Sequence, residues 1–184
     1  MTIKLIILDR DGVINKEREW VQTPQQFEFI NGAIEAIVRF KQAGYLTAIA
    51  TNQSHIGRGR MTADDLTAVH DEMLAELRRH GGNIDRIVYC SGYDDKDPRR
   101  KPNPGMLLEL LQYFDVRGEE TVFIGDYARD MQAGDRAGCH LIMVKNKHGE
   151  GEYRHMAPEL KAKTAYAENL LAACQLIEQR QICR

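Results

Sequence analysis

Little in this chain points to a specialised scaffold. Its 184 residues include four cysteines, five prolines and a single tryptophan, and Cys90, Cys139, Cys174 and Cys183 form no C-x-x-C pair. That pattern excludes a disulfide framework and offers no self-evident zinc site, so the four read as reduced thiols. Cys183 stands second from the end, where a prenylation signal would need the cysteine fourth from the end. No apolar run approaches the roughly 18 residues of a membrane-crossing helix, and the stretch Leu5–Leu8 is far too short for a signal peptide. Neither sign of charge dominates: Lys and Arg number 25 against 27 Asp and Glu, a net charge of -2, so no global positive field draws nucleic acid or an anionic membrane. Any anion site must be local. With 43% hydrophobic and 28% charged residues the composition is that of a globular protein and not of a disordered one. We expect a cytoplasmic single domain over residues 1–184, burying roughly 70% of its unfolded surface.

What is present is an alternation of short apolar runs with helical patterns, which predicts an α/β fold around a parallel sheet. Ile3–Leu8 is continuously apolar, as a strand covered on both faces should be, and it ends at Asp9. A helix is expected from Asn31 to Gly44, then a strand over Tyr45–Thr51. Thr62 and Asp65 form a capping-box start for a helix with Leu66, Val69, His70, Met73 and Leu77 on one face. Ile84–Cys90 is the third predicted strand, Asn103-Pro104 opens a helix, and Thr121–Gly125 is the fourth strand. A short helix over Arg129–Ala137, a fifth strand over His140–Lys145 and a closing helix over Ala167–Glu178 complete the reading, with Lys147–Glu159 as an exposed loop.

In parallel sheets ligands bind beyond the carboxyl ends of the strands. Four candidate segments fall there: Asp9-Arg10-Asp11-Gly12-Val13, Thr51-Asn52-Gln53-Ser54, Arg100-Lys101-Pro102 and Gly125-Asp126 with Asp130. Taken singly, each has a plainer explanation as turn, cap or solvated basic patch. Jointly, at one end of one sheet, they supply what phosphoryl transfer needs. Asp9 can attack phosphorus, and Asp11, two residues on, can protonate the leaving oxygen and later deprotonate water. Clustered carboxylates call for a hard cation, and Mg²⁺ suits oxygen ligands shared with a substrate phosphate. The metal set is Asp9, Asp11 and Asp126, with Asp9 and Asp126 supplying side chains. Thr51, Asn52, Lys101 and Arg100 offer donors and positive charge to phosphate oxygens. A phosphate-binding module without catalysis is the alternative from another class, and Asp11 argues against it because a mere acceptor needs no acid there.

These residues resemble the haloacid dehalogenase superfamily of phosphohydrolases. More closely, Leu8-Asp9-Arg10-Asp11-Gly12-Val13-Ile14-Asn15, Thr51-Asn52-Gln53-Ser54, Arg100-Lys101-Pro102-Asn103-Pro104-Gly105-Met106 and Asp130-Met131-Gln132-Ala133 are similar to the D,D-heptose 1,7-bisphosphate phosphatases and their histidinol-phosphatase relatives. The resemblance implies a Rossmann-like three-layer sandwich without a large cap and Mg²⁺ as cofactor. It also implies removal of the 7-phosphate of a heptose bisphosphate on the route to lipopolysaccharide or related glycans, with histidinol phosphate or another small phosphomonoester as the alternative substrate. Carried onto this sequence, it makes Asp9, Asp11, Thr51, Arg100 and Lys101 catalytic. Arg10, Glu17, Trp20, Asn52, Gln53 and Ser54 become substrate contacts, and the partner is a small phosphorylated sugar bound by a monomer. Two departures stand out. The family usually carries three cysteines and a histidine as a zinc loop before the Arg-Lys-Pro motif, whereas Cys90–Arg99 here has one cysteine and no histidine, so zinc is expected to be absent. Tyr127 also stands where relatives often place a lysine.

Overall fold

The computed structural model describes residues 2–18, 21–145 and 149–179. Its strands are β1 (Leu5–Leu8), β2 (Leu46–Asn52), β3 (Arg86–Cys90), β4 (Thr121–Gly125), β5 (His140–Val144) and β6 (Thr164–Ala167). All pair in parallel, in the order β3-β2-β1-β4-β5-β6. The helices are α1 (Ala33–Gln42), α2 (Ser54–Gly57), α3 (Ala63–Arg79), α4 (Gly105–Phe114), α5 (Ala128–Arg136), α6 (Gly149–His155), α7 (Pro158–Ala162) and α8 (Leu170–Glu178).

Two-residue periodicity sends neighbouring side chains of β1 to opposite faces. Ile6 and Leu8 join α1, α3 and α8 in one apolar core, while Leu5 and Ile7 pack with Met106, Leu107 and Leu110 of α4 on the other. Both faces are covered, so β1 is apolar throughout and fully buried. The result is the expected three-layer α/β sandwich. Strand order reverses between β1 and β4, which lie side by side with Leu8 beside Ile124. That switch point opens a crevice at the carboxyl ends of both strands, and Asp9 and Asp126 stand at it.

The structure corrects the reading of the C-terminal third. Residues 149–159, expected as exposed loop, instead form α6 and the start of α7, because Met156 and Leu160 bury against Met131, Leu141 and Met143 and anchor the segment. Lys147 lies outside the described residues. A sixth strand precedes the closing helix, and Ala167 belongs to that strand. The helix begins at Leu170, where the side chain of Asn169 caps the amide of Ala172. Among the described residues no helix is long and apolar enough to cross a membrane.

Candidate active site

The first motif segment follows β1, the second runs on from the end of β2, the third lies in the connection from β3 into α4, and the fourth runs on from the end of β4. After β1 the chain turns tightly: Gly12 adopts φ 80°, a left-handed value that favours glycine, and its amide donates to the carbonyl of Asn15. The turn sets Asp9 and Asp11 on different partners. Asp9 faces Asp126 and Asp130, and ligand atoms of these three carboxylates lie within 4.8 Å of one another. Lys101 reaches into the same cluster, its Nζ 2.9 Å from Oδ1 of Asp9 and 2.9 Å from Oδ1 of Asp130. Lys101, Asp126 and Asp130 are at most 1% exposed.

Burial and electrostatics explain how these groups titrate. Burial lifts the Asp9 carboxyl most, Lys101 pulls it back and Asp130 pushes it up again, leaving it at about 6. Burial, with the charges of Asp130 and Asp9, also raises Asp126 well above the carboxylate range. For Lys101 burial opposes the charge, yet Asp130 and Asp9 outweigh it and hold the ammonium above the ordinary lysine value. A compact set of buried carboxylate oxygens is the donor chemistry of a hard divalent cation, and these residues fit one.

Asp11 stands in the expected metal set beside Asp9 and Asp126, which were to supply the side chains, and its own carboxylate points elsewhere. Its side chain is absent from the three-carboxylate group and is held by Arg10 at 2.9 and 3.0 Å, by Asn15 at 2.9 Å and by Gln53 at 2.9 Å. Burial alone would raise it, but Arg10 and the hydrogen bonds from Asn15, Arg10 and Gln53 lower it. Asp130 is the third carboxylate beside Asp9 and Asp126. Its Oδ2 accepts from the amides of Asp126 at 3.2 Å and Tyr127 at 3.1 Å, capping α5, while Oδ1 meets Lys101. Gly125 permits this approach, since a Cβ there would lie 2.4 Å from Cβ of Asp130.

Several residues expected to touch substrate serve the site from behind. Asn52 exchanges hydrogen bonds with the backbone of Lys101 at 3.1 Å in each direction, tying the end of β2 to the lysine. Gln53 donates to Oδ2 of Asp11 and to the hydroxyl of buried Thr51, both at 2.9 Å. Arg10 is 1% exposed, with its guanidinium on Asp11 and on Nε2 of His70 at 3.2 Å. Arg100 bonds Asp95 at 3.0 Å and the carbonyl of Gly92 at 3.1 Å. Glu17 accepts from the Tyr127 hydroxyl at 2.9 Å, and Trp20 lies outside the described residues. Arg10, Asp11, Glu17, Asn52, Gln53, Ser54 and Arg100 nevertheless all border a cleft of about 170 Å³, which Arg18, His55 and Arg129 also line. A larger hollow of about 560 Å³ beside Ile34, Val38 and His80 lies away from the carboxylate cluster, so chemistry and not size identifies the site.

His70 was legible in sequence only as part of a helix face. Arginine can only donate, so Nε2 of His70 accepts and its ring proton resides on Nδ1. Burial and then the charge of Arg10 push it down to about 3, so it stays neutral. His70→Leu leaves a buried guanidinium N–H without its acceptor and is expected to cost about 1–3 kcal/mol. Urea unfolding measures that loss, and an unchanged midpoint would remove His70 from the support of Arg10.

A family model described as HAD-hydrolase-like matches residues 98–173. The D-glycero-beta-D-manno-heptose-1,7-bisphosphate 7-phosphatase of Neisseria meningitidis serogroup A is 38% identical over 179 residues, 96% of each chain. The chain belongs to the heptose-1,7-bisphosphate 7-phosphatase family of the HAD superfamily. Among solved members of the family, the Bordetella bronchiseptica D,D-heptose 1,7-bisphosphate phosphatase, complexed with magnesium and phosphate, superposes with a TM-score of 0.90 at 35% identity. That match covers 97% of this chain and 99% of that one. Family members named for the other anomer are equally similar: the D-glycero-alpha-D-manno-heptose-1,7-bisphosphate 7-phosphatase of Campylobacter jejuni is 39% identical over 162 residues, 88% of this chain and 94% of that one.

Proposed function

We propose that this protein is a Mg²⁺-dependent phosphatase that removes the 7-phosphate of D-glycero-D-manno-heptose 1,7-bisphosphate in heptose and lipopolysaccharide precursor synthesis. The observation that carries the reading is the buried group of Asp9, Asp126, Asp130 and Lys101 beside a separately held Asp11. Asp9 attacks phosphorus while the bond from phosphorus to the C7 oxygen breaks. Asp11 gives that oxygen its proton, then takes one from the water that attacks the aspartyl phosphate, freeing Asp9 and inorganic phosphate. A phosphate dianion beside Asp11 counters Arg10 and raises the proton affinity of the carboxyl, which a general acid requires. Thr51 and Lys101 hold the transferred oxygens, Ser54 faces the rest of the substrate at the cleft, and Arg100 borders that cleft with its guanidinium held by Asp95 and the carbonyl of Gly92. Asp9 and Asp126 would hold Mg²⁺, which when bound would supply neutralising charge to the phosphoryl group.

A panel of phosphomonoesters tests the reading. Both heptose bisphosphate anomers should be hydrolysed far faster than histidinol phosphate, and the reverse order would reassign the substrate. We place the enzyme in the cytoplasm as a monomer, with no nucleic-acid or membrane partner. Cys90, Cys139 and Cys174 are buried free thiols, which suits a reducing compartment.

Protons and Mg²⁺ compete for Asp9. Its carboxyl, 3.8 unfolded and about 6 folded, binds more protons in the folded state between those values. The metal-free protein should therefore lose stability as pH rises from about 4 to 6, and Mg²⁺ affinity should weaken up to about tenfold per pH unit below 6. Calorimetric titration checks this, and an affinity independent of pH between 5 and 7 would contradict it.

The loop 91–101 is read as zinc-free. The flanking residues tie it down: Asp97 accepts from Sγ of Cys90 at 3.4 Å, and Asn103 donates to the carbonyls of Asp95 and Asp97 at 2.8 and 2.9 Å. Elemental analysis should find no stoichiometric zinc, and near-unit zinc would overturn this assignment.

A further inference from the structure

Four arginines border the cleft, and three are committed to the protein. Arg10 is clamped between Asp11 and His70, Arg18 pairs with Glu28 at 2.8 Å, and Arg100 holds Asp95 and the carbonyl of Gly92. Arg129 differs. Among the described residues no carboxylate forms an ion pair with it, and its guanidinium carbon sits 4.3 Å from the centroid of the Tyr127 ring. Stacking on an aromatic face leaves the N–H edge of a guanidinium available to an anion. Tyr127 is itself fixed at its far end, where the hydroxyl donates to Glu17, a residue that borders the cleft.

Position assigns the anion. The deep end of the site is supplied for one phosphoryl group by Lys101 and Thr51, both 1% exposed. Arg129 is exposed and stands at the mouth. We propose that Arg129 grips the phosphate that stays on the product, with Tyr127 and Glu17 as the strut that holds its place. It thereby selects a bisphosphorylated over a monophosphorylated sugar. The inference rests on the bisphosphatase reading above. It gives Tyr127 a purpose: an aromatic ring carries the guanidinium where a relative's lysine would supply the charge itself.

The test compares heptose 1,7-bisphosphate with heptose 7-phosphate as substrates of the full enzyme with Mg²⁺. Arg129→Ala should lower the ratio of kcat/KM between the two about tenfold, with the larger part of the change in KM of the bisphosphate. Arg129→Lys, which keeps the charge and loses the fork, should fall between. Inhibition by heptose 1-phosphate should weaken by a similar factor in Arg129→Ala. Tyr127→Leu should reduce the preference as well, and Tyr127→Phe, which keeps the ring, should retain most of it. Equal losses on both substrates would place Arg129 on the transferred phosphoryl group and overturn the assignment, as would an unaltered ratio. A wild-type enzyme with no preference for the bisphosphate would overturn the bisphosphatase reading and this inference with it.

Discussion

Asp9→Asn is expected to abolish turnover, lowering kcat by at least about 10⁴-fold, while leaving the fold at least as stable as the wild type. The two halves of that result have one origin. Asn retains the shape of Asp9 and loses the nucleophilic carboxylate, so no phosphoryl-enzyme bond can form. The same change removes a charge that the folded state disfavours, since burial and Asp130 raise the Asp9 carboxyl to about 6 despite Lys101. Activity and thermal unfolding measured on one preparation separate chemistry from folding. Wild-type turnover in Asp9→Asn would exclude the aspartyl-phosphate route, and a collapsed midpoint would show that Asp9 is needed for structure instead.

Lys101→Met should fail in both respects. The ammonium bridges Asp9 and Asp130 at 2.9 Å each, and its removal leaves buried carboxylates facing one another without a counter-charge. Breaking a buried pair in this way costs about 3–5 kcal/mol, which for a chain of this size lowers the unfolding midpoint by on the order of 10 °C. The transferred oxygens also lose a preorganised positive donor, worth about 10²–10³-fold in kcat. Acidification separates the two losses. Without Lys101 to hold it down, the Asp9 carboxyl titrates above its wild-type value of about 6, so on acidification it takes up a proton, the repulsion falls and Lys101→Met should regain stability relative to wild type, whereas its turnover should stay low because the nucleophile is then neutral. A variant as stable as the wild type at neutral pH would contradict the bridging role.

The contrast between these variants also shows which parts of the site were legible in sequence. Asp9 and Asp126 could be placed because continuously apolar strands end on them, and the end of a parallel strand is where a sheet presents ligands. Asp130 could not be separated from an ordinary helix cap, since it is one: the same carboxylate caps α5 through Oδ2 and meets Lys101 through Oδ1. Spacing likewise placed Asp11 at the site beside Asp9, in a distinct role, without showing which side chains hold it. The turn at Gly12 gives it to Arg10, Asn15 and Gln53, and Arg10 and Gln53 come from side chains whose direction no periodicity reveals.

The fold was legible where patterns were long. Strands β1 to β5 and the helices α1, α3, α4 and α5 follow from apolar runs, caps and stops. Strand β6 did not, because Thr164-Ala165-Tyr166-Ala167 is a short edge strand without an apolar run. Helices α6 and α7 were hidden by Gly149, Gly151 and Pro158, which mark turns in most contexts. Here Met156 and Leu160, buried at 7% and 8% exposure, supply tertiary contacts that outweigh local propensity.

The central claim is that Asp9 removes one particular phosphate from a heptose bisphosphate. It is tested most directly by following D-glycero-D-manno-heptose 1,7-bisphosphate with the enzyme and Mg²⁺ by ³¹P NMR. The C7 phosphate resonance should disappear as inorganic phosphate grows, with the anomeric phosphate unchanged. Loss of the anomeric phosphate, or persistence of both resonances in an enzyme that hydrolyses other phosphomonoesters, would contradict it.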